Sequence, residues 1–134
     1  MQTTARNIFL REVTVSAEHL DHLAHVNNVV YVKWLQEMAY DHWTHFVSPQ
    51  LHESVLWVVR RHEIDYLAQA FLADELILKT YTGTHTGVTW DRHYEIMRKS
   101  DQKKILVAKS IWVLLNRKTF KPQRIDHEIL SVLL

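Results

Sequence analysis

A single stretch with helical periodicity, residues 28–45, interrupts a chain whose other segments have the composition of β-strands, and this order is the strongest constraint on the fold. Within the stretch, large side chains recur at steps of three and four residues, which places them on one face of an α-helix. This face consists of Tyr31, Trp34, Leu35, Met38, Ala39, His42 and Trp43. Polar side chains fall largely on the opposite face. The sequence therefore predicts one long helix whose wide, aromatic face packs into a concave sheet.

Local residue types predict where this helix begins and ends. Two asparagines stand at its start, and Asn28 is the expected N-cap, because an asparagine side chain can accept hydrogen bonds from the free amides of the first turn. Ser48 and Pro49 indicate that residues 46–53 form the loop by which the chain leaves the helix.

Five segments have the pattern of β-strands. Residues 8–16 precede the helix, and residues 54–67, 74–85, 88–99 and 105–118 follow it; they are rich in β-branched and aromatic residues or alternate between apolar and polar ones. The chain has only two glycines and two prolines, which favours a few long elements. The order of segments predicts an α+β fold in which an antiparallel sheet curls around one long helix, as a single domain over residues 1–134.

Composition excludes several classes of protein. The 134 residues include no cysteine, which excludes a disulfide framework and thiolate zinc sites and fits the cytoplasm. No apolar run approaches the roughly 20 residues that span a bilayer, and no pattern of basic and exposed aromatic residues indicates a nucleic-acid partner. Residues 98–125 carry nine lysines and arginines against Asp101 alone. This basic third of the chain either meets phosphate groups or forms a sheet edge guarded by lysines.

The stretch "HLDHLAHVNN", residues 19–28, concentrates the residues that carry chemistry. A metal site is not predicted, because neither an H-x-H-x-D-H run nor an H-E-x-x-H signature is present. The sequence also has no G-x-S-x-G elbow and no glycine-rich nucleotide loop.

Asp21, in contrast, lies in a loop that must fold back against a helix N-terminus. The free amides there can stabilise an oxyanion while Asp21 acts as nucleophile or base, a combination that suits a thioester. The alternative is that Asp21 is an ordinary turn residue.

Two segments carry a resemblance to a known family. "DHLAHVNNVVYVKWLQEMAYDHW" resembles the D-x-x-G-H-x-N-N-x-x-Y signature of hotdog-fold acyl-CoA thioesterases of the 4-hydroxybenzoyl-CoA thioesterase group, and "VVRRHEIDYLAQAFLADELILKTYTGT" resembles the segment that follows the helix in those enzymes. The resemblance covers residues 8–125. It implies a five-stranded antiparallel sheet wrapped around a central helix. It also implies a homodimer or a dimer of dimers, with the active site at the subunit interface and CoA along the dimer surface.

The resemblance also implies roles for individual residues. Asp21 becomes the catalytic carboxylate, and His25, Asn27 and Asn28 close the loop and open the helix. With Asp21, His25 and Asn28 are the expected catalytic residues; His25 either orients the loop by hydrogen bonding or abstracts a proton. The amides of residues 26–29 are expected to hold the oxyanion. Acyl-CoA is the expected substrate, no cofactor is implied, and the expected substrate-binding residues are Val29, Tyr31, Trp34, Arg92, Arg98, Lys99 and Lys109. For Tyr31 and Trp34 the alternative is core packing. Glu37 is an alternative carboxylate, and His19 and His22 are expected to take no part in the chemistry.

Two departures from the family pattern and two rival functions remain open. Ala24 stands where the family has glycine, so a positive φ there would be costlier, and Gln69 stands where the family has proline. A hotdog hydratase or dehydratase is the first rival, although its D-x-x-x-x-H motif has one residue more than the spacing between Asp21 and His25. A non-catalytic acyl-CoA-binding module is the second. The acyl group is aliphatic or aromatic, and its carrier is CoA or, as the alternative, acyl-carrier protein.

Overall fold

The computed structural model describes residues 2–134, with side chains from Ala5 onward, as one antiparallel sheet, one long α-helix, two short α-helices and a one-turn 3-10 helix at Ala17–His19. The strands are β1 (Gln2–Thr4), β2 (Phe9–Thr14), β3 (Val55–Tyr66), β4 (Glu75–Thr86), β5 (Thr89–Arg98) and β6 (Lys104–Asn116). The helices are α1 (Asn28–Phe46), α2 (Pro49–Ser54) and α3 (His127–Leu130). The five predicted strands and the long helix are confirmed, and β1 is an addition that the sequence did not predict.

The strands form a six-stranded sheet in the order β1-β2-β4-β5-β6-β3, in which every neighbouring pair is antiparallel. Strand β3 comes directly after the helices α1 and α2 in sequence, but in the sheet it is the edge strand beside β6. This arrangement is the hotdog fold of the α+β class, as the sequence predicts.

Helix α1 packs against the sheet with the face that its periodicity predicts. The seven residues of that face are the buried residues of the helix. Leu35 and Met38, both 0% exposed, share one core cluster with strand residues such as Leu76, Leu78 and Leu106. Full burial of an apolar side chain of this size contributes about 1.5–3 kcal/mol, so this interface holds the helix in the curl of the sheet.

Both predicted helix boundaries need correction. The N-cap is Asn27 and not Asn28: Asn27 has extended backbone angles, its side-chain oxygen accepts from the amide of Val29 at 3.0 Å, and Asn28 is the first helical residue. The exit loop predicted over residues 46–53 is largely wrong, because α2 occupies Pro49–Ser54. Ser48 caps this short helix and Pro49 stands in its first turn, where a missing amide hydrogen costs nothing.

The C-terminal segment closes one end of the sheet. Pro122 forms an isolated bridge with Leu115, and Asp126 caps α3 by accepting from the amide of Ile129. Side chains from this segment complete a second core cluster with α1 and the sheet, whose buried members are Trp43, Val55, Trp90, Leu114, Ile125, Ile129, Val132 and Leu133. None of the helices in the described residues is long and apolar enough to cross a membrane.

Candidate active site

The loop before α1 is a tight, closed turn. The amide of Asp21 donates to the carbonyl of His25 at 2.9 Å, the amide of Ala24 donates to the carbonyl of Asp21 at 3.1 Å, and Leu20 pairs with Val26 across the turn. The amide of Val26 donates to the carbonyl of Ala70, which ties the turn to the segment after β3. The loop is therefore fixed at both ends directly before the helix begins.

The Asp21 carboxylate is held by main-chain amides of its own turn. Its Oδ1 accepts from the amide of Leu23 at 2.9 Å and from that of His25 at 3.3 Å. The Leu23 hydrogen bond is the main cause of a lowered Asp21 pKa; desolvation opposes it, and the hydrogen bond from the His25 amide lowers the pKa further. No group in the described part of the chain donates a hydrogen bond to Oδ2 of Asp21. Asp21 is thus an oriented, ionised carboxylate with one oxygen available.

Histidines support this loop mainly through the main chain and ring contacts. The amide and carbonyl of His25 close the turn, as above, while its ring packs edge-on against Phe71 at 5.3 Å between centroids. His19, expected to have no chemical part, has a structural one: its Nδ1 accepts from the amide of Ser16 at 3.0 Å and its ring packs edge-on against Trp34. His22 is exposed. Among the described residues, no group of three or more potential ligands could hold a metal ion.

Ala24 adopts the backbone conformation that the family's glycine would favour. Its φ is 62°, in the left-handed region, where an L side chain costs roughly 1 kcal/mol more than glycine. Exchanging Ala24 for glycine removes that strain without removing any hydrogen bond of the loop.

We therefore expect Ala24→Gly to raise the free energy of unfolding by about 1 kcal/mol, measured by urea denaturation. Ala39→Gly, a matched exchange inside α1, should lower it by at least about 1 kcal/mol, because glycine is a poor helix former and Ala39 is buried. A loss of stability in Ala24→Gly would show that the alanine side chain makes contacts that outweigh the strain.

The amides expected to hold an oxyanion are mostly engaged elsewhere. The amide of Val26 donates to Ala70, that of Asn27 to the carbonyl of His19, and that of Val29 to the side chain of Asn27. Three of the amides expected to hold the oxyanion are therefore unavailable, which narrows the prediction to one. Of the four amides of residues 26–29, that of Asn28, at the first position of α1, is the one with no hydrogen-bond acceptor among the described residues.

The expected substrate-binding side chains are dispersed. Tyr31 and Trp34 lie in the main core cluster, 3% and 8% exposed, so the structure places them as core residues and corrects their expected place in a tunnel lining. Val29 is exposed on the first turn of α1. The alternative carboxylate Glu37 lies on the solvent face of α1, where it pairs with Lys33 at 3.9 Å.

Three of the four cations expected at phosphates are already paired with carboxylates. Arg98 contacts Asp74 and Asp101, Lys99 contacts Glu12 and Glu75, and Lys109 contacts Asp91. The prediction for Arg92 is wrong. Its side chain is only 5% exposed and is buried in the interior, so it cannot meet a phosphate on the outer surface.

An apolar cavity of about 380 Å³ lies between α1 and the sheet, and the sequence did not predict it. Four of the five tryptophans line it, namely Trp43, Trp57, Trp90 and Trp112. Its α1 residues, from Gln36 to Trp43, belong to the middle and C-terminal half of the helix. No residue of the Asp21 loop lines the cavity, so within one chain the carboxylate and the cavity are separate.

The Asp21 loop is bordered instead by exposed apolar side chains. Phe71 contacts His25, and Tyr66 contacts Tyr31 at 6.0 Å between ring centroids. The exposed apolar residues on these segments are Leu23, Val29, Tyr66, Leu67, Phe71 and Leu72. An apolar surface around a carboxylate is typical of a site that a ligand or a second subunit covers.

Comparisons with known proteins agree with this architecture. The family described as the thioesterase-like superfamily matches residues 15–133. YbaW, a probable thioesterase from Escherichia coli, has 25% sequence identity and a TM-score of 0.83, over 92% of this chain and 95% of that chain. Slr0204, a 1,4-dihydroxy-2-naphthoyl-CoA thioesterase from Synechocystis, has 17% identity and a TM-score of 0.79, over 94% and 95%. SAV2348 from Staphylococcus aureus, solved in complex with CoA, has 14% identity and a TM-score of 0.82, over 97% and 84%.

None of the curated protein sequences matches this chain. The family match nevertheless extends over nearly the whole sequence and includes the Asp21 loop, helix α1 and the four strands β3 to β6. The chain belongs to the thioesterase-like superfamily of hotdog-fold thioester hydrolases.

Proposed function

We propose that this protein hydrolyses an acyl-CoA thioester to the free acid and CoA, with Asp21 as the reacting carboxylate, in the manner of the 4-hydroxybenzoyl-CoA thioesterase group. The observation that carries the proposal is the Asp21 turn. It holds an ionised carboxylate with a free Oδ2 immediately before the N-terminus of α1. A hydrolase of thioesters needs a nucleophile or base beside a donor for the oxyanion, and this turn offers both.

The donor in this proposal is the amide of Asn28. It is the free amide at the start of α1, where the helix dipole adds positive potential. A thioester carbonyl that accepts from this amide would have its developing negative charge stabilised. Removal of a single donor of this kind costs about 100-fold to 1,000-fold in turnover in other hydrolases.

Two routes are compatible with Asp21 as the reacting group. In the first, its carboxylate attacks the carbonyl carbon, the CoA thiolate leaves, and water hydrolyses the resulting mixed anhydride to the acid and regenerated Asp21. In the second, Asp21 takes a proton from a water molecule that attacks the carbonyl directly, and the thiolate leaves and is protonated. Because a thiolate is a good leaving group, neither route requires a second acid.

The choice of CoA as carrier is supported by two structural neighbours, one solved with CoA and one a naphthoyl-CoA thioesterase. Arg98, Lys99 and Lys109 remain the proposed phosphate contacts of this chain. Each would have to exchange a carboxylate partner for a phosphate. For Lys99 and Lys109, whose side chains are largely exposed, such a pair is worth only about 0.2–1 kcal/mol, so the exchange costs little; the Arg98 side chain is 14% exposed and holds its carboxylates more firmly.

We further propose that two copies pair through β3, as a dimer or within a dimer of dimers. Strand β3 is an edge of the sheet with 12 residues, long enough for a continuous ladder. When two identical strands pair antiparallel, the Tyr66 end of one lies opposite the Val55 end of the other. Tyr66 contacts Tyr31 near the start of α1, directly after the Asp21 loop, and Val55 lines the cavity. Pairing would therefore bring the carboxylate of one copy towards the cavity of the other.

The proposal is tested by thiol release from a panel of short, medium, long and aromatic acyl-CoAs, after dialysis against a chelator and with the molecular mass determined in parallel. We expect chelator-resistant turnover of at least one acyl-CoA by a dimer or tetramer. Hydration of an enoyl-CoA without thiol release would favour the hydratase instead. Tight acyl-CoA binding without turnover of any substrate would favour a binding module and contradict the proposal.

A further inference from the structure

The cavity contains a buried cation that has no acidic partner. Arg92 lines the cavity, is 5% exposed, and forms no ion pair with any carboxylate in the described residues. Burial lowers its pKa to about 10, so the guanidinium is still charged at neutral pH. A buried charge without a counter-ion is expensive, and arginine in such a position calls for an explanation.

Only part of the guanidinium is used by the protein. Nη1 of Arg92 donates to Nδ1 of His42 at 3.0 Å and to Oγ1 of Thr80 at 3.1 Å. Both partners are neutral: the threonine hydroxyl carries no charge, and Nδ1 of His42 can accept from Arg92 only in the neutral ring, which then donates through Nε2 to the carbonyls of Ala5 and Arg6. An arginine has five N–H donors, so Nε and Nη2 retain donors without a protein acceptor in the described part of the chain. Arg92 is thus fixed on one side and available on the other.

The other polar groups at the cavity do not neutralise Arg92. Among the described residues that line the cavity, Asp91 is the one carboxylate, and it pairs with Lys109 at 3.5 Å. Arg117 donates to the carbonyl of His52. The Nδ1 atom of His52 is itself buried without a hydrogen-bond partner in the described residues. The cavity therefore combines an apolar wall of four tryptophans with two polar groups whose capacity for hydrogen bonds is unfilled.

We propose that this cavity binds an apolar carboxylic acid, with the carboxylate on the free donors of Arg92 and the apolar part among the tryptophans. Guanidinium and carboxylate match in charge and in planar geometry, which makes this the pairing that arginine favours. The ligand is either a free acid or the far end of an acyl group that carries a second carboxylate. The latter case rests on the proposed thioesterase function and defines ω-carboxyacyl thioesters as its substrate class.

Tryptophan fluorescence measures this binding without any need for turnover, because four of the five tryptophans line the cavity. The native protein is titrated with decanoate and with methyl decanoate, which differ only in the charged end. We expect decanoate to bind at least tenfold more tightly, since a hydrogen-bonded charged pair contributes well over a factor of ten. Arg92→Met should abolish the preference, and Arg92→Lys should retain part of it.

Equal affinity of the native protein for the acid and the ester would overturn the inference, and this comparison does not depend on whether Arg92→Met folds. Ala39→Leu, which narrows the cavity at a lining residue, should weaken both ligands alike; unchanged affinity would place the ligand elsewhere and also overturn it.

A second arm compares thiol release from decanoyl-CoA and from its ω-carboxy counterpart. Faster turnover of the ω-carboxy compound, lost in Arg92→Met, identifies the acyl group as the source of the carboxylate. A preference for decanoate without such turnover identifies a free acid. If no thioester is hydrolysed but decanoate is still preferred, the proposed function fails and the cavity assignment stands. If thioesters are hydrolysed but no carboxylate is preferred, the cavity assignment alone fails.

Discussion

The protein is expected to lose about 2 kcal/mol of unfolding free energy between pH 7.5 and pH 5 through the titration of one buried histidine, His42. Burial, with help from the neighbouring Arg92 charge, lowers the pKa of His42 from 6.5 to about 4. In the unfolded chain His42 takes up a proton near pH 6.5, but in the folded protein it stays neutral to about pH 4. The unfolded state therefore binds more protons in this window, and stability falls as the pH is lowered through it.

The surroundings of His42 explain why it resists protonation. Its Nε2 donates to the carbonyls of Ala5 and Arg6, which leaves Nδ1 as the acceptor of the Arg92 hydrogen bond. A proton on Nδ1 would remove that hydrogen bond and place two positive charges about 3 Å apart. The ring of Phe9 stacks on the other side and offers no compensation.

The measurement is urea unfolding of wild type and His42→Gln at pH 7.5, 6 and 5. Glutamine can donate to a carbonyl and accept from Arg92 but does not titrate, so the variant should show a pH dependence smaller by about 2 kcal/mol. His45→Gln, three residues further along α1 at an exposed position, is the matched control for the exchange of a histidine for a glutamine. If His42→Gln keeps the full pH dependence, carboxylates rather than His42 govern the acid sensitivity.

The long elements of the fold were predictable because one physical cause produces both the sequence pattern and the structure. All seven residues of the predicted helix face are buried, since apolar spacing is what directs a helix onto a sheet. Short elements lack such periodicity. Strand β1, helix α2 and the C-terminal segment are held by pairing and by contacts such as those of Ile129 in the second cluster, which the local sequence does not reveal. The predicted N-cap was wrong by one residue because Asn27 and Asn28 have the same side chain, and only the backbone angles show which of them is the cap.

The site was predictable in part. Family resemblance and helix chemistry singled out Asp21. They could not show which amides of the loop already donate hydrogen bonds within the protein, because acceptors such as the carbonyl of Ala70 are distant in sequence. Arg92 was misassigned although its sequence context held a signal. It occupies the same alternating face of β5 as Trp90 and Tyr94, both buried, and a charge in that register belongs inside the sheet.

Asp21→Asn is expected to lower turnover of acyl-CoA by at least about 100-fold without changing stability appreciably. An asparagine side-chain oxygen can still accept from the amides of Leu23 and His25, so the loop should keep its shape. The amide group is neither a nucleophile nor a base, and so only the chemistry is removed. Asp126→Asn is the matched control, because that carboxylate also accepts a main-chain hydrogen bond but caps α3, away from the loop.

The central claim is that Asp21 carries out the hydrolysis of a thioester. The most direct test compares kcat/KM for thiol release in three proteins: wild type, Asp21→Asn and Asp126→Asn. The substrate is the best acyl-CoA of the panel, and all three proteins are first shown to unfold at the same urea concentration. The account predicts full activity in wild type and Asp126→Asn and a loss of at least about 100-fold in Asp21→Asn. Equal kcat/KM in all three proteins would contradict it and place the reacting group elsewhere in the fold.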